Sequence, residues 1–255
     1  MATIPYSNDT DRGEARFFFT MACLTAAIIV GGFSFNILME RSSFALPWVY
    51  HFHGIVMMSG LALYVAQSSL ILADNVALHR RLGWFAVVCV PLMVFTGLLL
   101  TRISVQERGG PPFFDQNQFL ISNPLHLVGF GFVVAWAITV RRNTGWHRRL
   151  MLFGFAMLLG PGIGRILPNP FFIPYAWYVD AVVPPLLFAL IGIVADRRRY
   201  GSAHPAWFWG IGLLLGIQLA ADLIAYSPLG YQFTEWFLAG TPGAERQMEA
   251  FFPPM

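Results

Sequence analysis

Two stretches of this 255-residue chain decide how it folds: NVALHRRLGWFAVV (Asn75–Val88) and NTGWHRRLMLFGFA (Asn143–Ala156). Each carries the tetrapeptide HRRL. In each, a long apolar run ends a few residues earlier and another begins with the motif. A charged tetrapeptide between two apolar runs reads as the turn of a membrane hairpin.

Composition agrees. Apolar residues make up 56% of the chain and charged residues 11%, against about 25% charged in a soluble domain. All 16 basic residues are Arg, so chemistry that needs a Lys amine, such as a retinal Schiff base, is excluded. Cys23 and Cys89 both lie in apolar runs and read as small buried residues, not as a disulfide or a metal site. The Arg excess sits in short loops, which argues for topology rather than for nucleic acid.

A spanning helix needs about 20 apolar residues. Seven runs qualify: 17–38, 48–72, 82–100, 124–140, 150–166, 179–195 and 205–226. The expected fold is an all-α, seven-span membrane protein in one domain, a leading helix followed by three hairpins. The loops after spans two, four and six hold nine Arg (Arg80, Arg81, Arg141, Arg142, Arg148, Arg149 and Arg197–Arg199) with only Asp74 and Asp196 as acids. By the positive-inside rule these loops and the N-terminus are cytoplasmic, and the C-terminus is outside. The stretch TRISVQERGGPPFFDQNQFLISNP (Thr101–Pro124) is expected as a cap on the outer surface.

The three hairpins align on one another. Each has His or Asp at its outer start (His53, His126, Asp180) and His at its inner turn (His79, His147, His204), with spacings of 26, 21 and 24 residues. Two polar layers follow. The outer one comprises His51, His53, His126, Asp180 and Asp222. Ionisable groups at membrane depth are costly unless paired, coordinated or wetted. That layer is therefore either a haem or metal site or a set of ion pairs locking helix ends, such as Arg165–Asp180 and Arg102–Asp222. The inner layer comprises His79, His147 and His204, with Arg80, Arg81, Arg148 and Arg149 expected to grip lipid phosphate. GPGIGR (Gly160–Arg165) follows a span rather than a strand and reads as a kinked helix end, not a nucleotide loop.

The placement of four His resembles the transmembrane dihaem cytochromes b that pass electrons from ascorbate. That resemblance covers roughly 48–166. It implies one b haem held by His53 and His126 and a second by His79 and His147. A resemblance across more of the chain is to a group of uncharacterised bacterial multi-pass proteins that share His53-Gly54, Leu78–Gly83, His147–Leu152 and His204–Gly210. It implies a bacterial inner-membrane protein and carries no activity. The expectation is a haem-binding or transition-metal-binding redox protein, the softer form being one ion on His53, His126 and Asp180. The alternatives are a cofactor-free subunit of a membrane complex and a transporter of protons or a small solute.

Overall fold

A computed structural model describes residues 9–42 and 44–252. Ser7 and Asn8, which begin the charged segment before span one, lie outside the described residues. Helices dominate, and the described residues include no strand. In chain order the helices are α1 (Asp9–Leu38), α2 (Trp48–Leu72), α3 (Val76–Leu82), α4 (Trp84–Arg108), α5 (Gln116–Thr139), α6 (Thr144–Ala156), α7 (Gly160–Ile166), α8 (Val183–Tyr200), α9 (Pro205–Ala225) and α10 (Pro228–Leu238). Six segments are long and apolar enough to cross a membrane unbroken; α6 and α7 pass that test only together, as a pair bent by 42°, which makes seven where the pair counts as one span.

Local chemistry sets the hairpin turns. Asn75 and Asn143 stand four residues before the two HRRL histidines. Their side chains accept from the backbone N–H of Leu78 and Trp146, capping α3 and α6. In the first copy Gly83 follows HRRL and separates the short α3 from α4. In the second copy Met151 stands there and the helix runs on. His204 caps α9 by accepting from Ala206 N–H through Nδ1, with Pro205 at the first helical position.

The expected boundaries shift in three places. Span three begins at Trp84, not Leu82, because α3 is a separate turn. The expected surface cap at 101–124 is mostly helix: α4 continues to Arg108 and α5 begins at Gln116, leaving only 109–115 non-helical. Its polar side chains tolerate that depth because they bond within the protein. Gln116 donates to the carbonyl of Gly243, Asn117 to that of Ala225 and Gln118 to Asp222. Span five is broken between Ala156 and Gly160, where Pro161 has no N–H to return to the carbonyl four residues back.

α5 and α6 form the middle of the core. Phe130, Val133, Val134, Ala137, Leu150, Leu152 and Phe153 are all fully buried. Aromatic and aliphatic side chains of α4, such as Trp84, Phe85, Val88 and Phe95, face outward, as a lipid solvent requires. Past the break, α7 packs on α1 through Gly32 and Gly162, and a Cβ on either would strike the partner backbone.

The two arginine pairs differ. Arg80 and Arg81 are exposed. In the second pair Arg149 turns inward, which corrects the lipid-gripping role expected of it, while Arg148 stays partly exposed and pairs with Glu14. Arg149 is 2% exposed and forks onto Asp196 with bonds of 2.8 and 2.5 Å. Its Nη2 also reaches Glu14 at 3.0 Å and its Nη1 the Gly145 carbonyl. Glu14, fully buried on α1, accepts further bonds from Arg148 and the Tyr200 hydroxyl. Asp196 accepts in addition from the His204 N–H and the Trp207 indole. One guanidinium thus joins α1, α6, α8 and the head of α9.

Breaking a buried pair from one side leaves an uncompensated charge and costs about 3–5 kcal/mol. Arg149→Met should therefore collapse thermal stability in detergent. Arg80→Met, on the exposed copy, should shift it by at most about 0.5 kcal/mol. Equal effects of the two would refute the asymmetry.

The His204 cap predicts a pH dependence. Burial, then the nearby Arg149 charge, hold this imidazole below the ordinary histidine pKa. The folded state therefore binds its proton less readily than the unfolded chain. Stability from this site is complete above about pH 6.5 and falls as pH drops below it. Comparing melting temperatures of the parent and His204→Asn across that range should show the slope reduced in the variant, which keeps a capping oxygen but does not titrate.

Candidate functional site

At the HRRL end, the two repeat histidines meet. The rings of His79 and His147 lie 6.4 Å apart, centre to centre, with planes at 86°. Each folds back over its hairpin turn. His79 Nδ1 lies 3.2 Å from the Gln67 carbonyl on α2, and His147 Nδ1 lies 2.8 Å from the Ala137 carbonyl on α5. A carbonyl only accepts, so both Nδ1 atoms carry the proton. Both imidazoles, while neutral, are left with the Nε2 lone pair. Burial holds His79 below the ordinary histidine pKa and favours that neutral form.

Metal-binding His are oriented by this kind of bond, the second ring nitrogen donating to a carbonyl or carboxylate. Two imidazoles sharing one metal through nitrogens about 2.0–2.1 Å from it place their ring centres roughly 6 Å apart. The 6.4 Å separation of the two ring centres is close to that distance. Arg80 and Arg141 stand near enough to act on His79 and His147 electrostatically, and suit the carboxylates of an anionic cofactor.

At the opposite end, the expected outer pair is not brought together. His53 on α2 turns to α4, its Nδ1 3.2 Å from the Thr96 hydroxyl oxygen. That hydroxyl spends its own proton on the Leu92 carbonyl at 2.9 Å, so His53 Nδ1 is the donor and Nε2 the free lone pair.

His126 on α5 turns the other way, to α9. Its Nε2 lies 2.8 Å from Gln218 Oε1, and the Trp177 indole N–H lies 2.8 Å from the same atom. An indole N–H can only donate, so that Gln218 atom is the oxygen and His126 Nε2 carries the proton. Gln218 donates in turn to Asp222, at 2.8 Å. His126 is left with a lone pair on Nδ1, which is buried and has no partner. It presents the opposite nitrogen from the other three.

The remaining outer residues scatter. His51 donates from Nε2 to the carbonyls of Phe44 and Leu46 and so closes the loop before α2. Asp222 accepts from Gln118, Gln218 and Tyr178. The ion pairs expected at Arg165–Asp180 and Arg102–Asp222 do not form. Arg102 bonds Gln106. Arg165 reaches the Pro161 carbonyl at 2.6 Å and lies 3.9 Å over the Phe33 ring. Among the described residues no three His, Cys, Asp or Glu converge as a metal site, so the ion expected on His53, His126 and Asp180 is not built.

Gln118, Gln218, Trp177 and Asn169 were not candidates from sequence. Neutral amides and an indole carry no charge signal. What could have marked Gln218 is its place in an otherwise apolar run four residues before Asp222, on the same helix face.

Comparison of the chain with protein-family models, curated proteins and solved structures gives no match.

Proposed function

We propose that this is a membrane-embedded cofactor protein holding haem b or a transition metal ion between His79 and His147. The observation that carries this reading is the pair of imidazoles, ring centres 6.4 Å apart, with each Nδ1 bonded to a backbone carbonyl. A haem iron there would supply one-electron transfer. The chain's own contribution is to fix the two rings, to keep them neutral by burial and to offer guanidinium groups at the rim.

His53 and His126 sit toward the other face, each with one nitrogen spent and one free. They support a second centre only if α2 and α5 present them to a ligand large enough to reach both. Electron transfer across the membrane would need both centres. By the arginine count we place the HRRL end in the cytoplasm of a bacterial inner membrane and the C-terminus outside. A C-terminal alkaline phosphatase fusion should then be active, and an inactive fusion alongside an active N-terminal one would reverse the orientation.

The first experiment is an absorption spectrum of the detergent-purified chain, oxidised and dithionite-reduced, with metal analysis on the same sample. A Soret band with sharp reduced α and β bands is expected. It should be lost in both His79→Ala and His147→Ala and kept in His51→Ala. Stoichiometric metal without colour, lost in the same two variants, selects the ion over haem. A colourless, metal-free protein refutes the proposal and leaves a cofactor-free subunit of a membrane complex or a transporter. The break in span five is the feature that favours transport.

A further inference from the structure

Away from the histidine pair, a second polar site sits where span five breaks. Asp180 is 2% exposed and lies in a π-helical turn (Tyr178–Val182) that leads into α8. Such turns recur at functional sites. Asn169 is 1% exposed and donates to Asp180 Oδ2 at 2.6 Å and to the Gly164 carbonyl at 3.2 Å. Both amide protons are thereby used, which fixes the orientation of the amide. Asn169 Oδ1 and Asp180 Oδ1 are left buried with no partner.

Two buried oxygens, one on each side chain, thus face no hydrogen-bond donor. The natural neutraliser, Arg165, is engaged elsewhere, on the Pro161 carbonyl and the Phe33 ring, and no ion pair within 4 Å joins it to Asp180 among the described residues. An unpaired charge in a dry interior is expensive, and an unsatisfied oxygen adds about 1–3 kcal/mol. Two glycines let the Asp180 turn pack closely against α7. Gly160 and Gly164 lie against Asp180: a Cβ at Gly160 would come 3.2 Å from the Asp180 carbonyl oxygen, and one at Gly164 would strike its carboxylate.

We propose that Asp180 Oδ1 and Asn169 Oδ1 bind one small monovalent cation at this break, with Na⁺ as the fitting ion. Oxygen ligands select hard cations, and a single carboxylate matches a single charge. Broken helices beside a buried carboxylate are how membrane carriers hold coupling ions. The site shares no side chain with the His79–His147 pair and stands whether or not that pair holds a cofactor.

The test is thermal unfolding of the detergent-purified full chain at fixed pH and ionic strength, with choline chloride replaced stepwise by NaCl. Binding to the folded state should raise the melting temperature saturably. The rise should vanish in Asp180→Asn and weaken in Asn169→Leu, which keeps the carboxylate should the first variant fold poorly. Li⁺ should substitute better than the larger K⁺. Identical curves in Na⁺ and choline would overturn the site, as would a rise that survives Asp180→Asn. So would stability set by pH with no Na⁺ dependence, which would put a proton where the ion is proposed. An absorption spectrum on the same samples keeps the two proposals separable, since loss of the Na⁺ effect leaves the His79–His147 readout unchanged.

Discussion

The Arg149 guanidinium is the constraint on which the HRRL end depends. A membrane offers helices little hydrophobic reason to associate, because lipid is as apolar as Leu. Packing and polar contacts must hold the bundle, and here one guanidinium binds Asp196 in a fork and Glu14 besides. Every strong acceptor atom in the cluster has a donor, Asp196 taking the Trp207 indole and the His204 N–H as well. A buried ionic cluster is stable only in that fully bonded condition. Its consequence is positional. α6 is pinned two residues after His147, so the ring that meets His79 hangs from the most tightly held point of the bundle.

The duplicated motif therefore hides a division of labour. Both copies use Asn to cap the helix and His to reach back across the turn. After that they diverge. The first copy ends at Gly83, lies in a short surface helix and leaves its arginines exposed. The second continues as a helix into the core and carries Arg149 inside. Identical tetrapeptides cannot reveal this. The partners that draw Arg149 in are Glu14 and Asp196, 135 and 47 residues away in sequence. The long apolar helices and the bend at GPGIGR were legible because they rest on local apolarity and on Pro and Gly. Burial of an arginine rests on distant partners.

The same distinction explains the other end of the molecule. Charge and histidine count group His53, His126, Asp180 and Asp222 as one layer. Rotation about each helix axis sets them apart. His53 faces α4 while His126 faces α9, and a difference in facing of that kind is invisible without an interhelical contact to fix it. The residues that orient them are neutral: Thr96, Gln218, Asn169 and Trp177. Thr101–Pro124 looked like a loop for a related reason. Polar, Pro-containing sequence reads as exposed, yet Gln116, Asn117 and Gln118 are buried in the first turn of α5 because α9 and the C-terminal segment supply their partners.

Span five physically connects the two polar ends. Its first half, α6, has 13 residues, about 20 Å at 1.5 Å per residue. His147 and Arg149 sit at its start, and the break that exposes Gly160 and Gly164 to Asp180 follows its end. Between them Leu150, Leu152, Phe153, Phe155 and Ala156 are at most 3% exposed. These side chains make an apolar layer between the two ends. α6 is therefore anchored by Arg149 at its start and ends at the 42° bend beside Pro161, which has no N–H to continue the helical bonding.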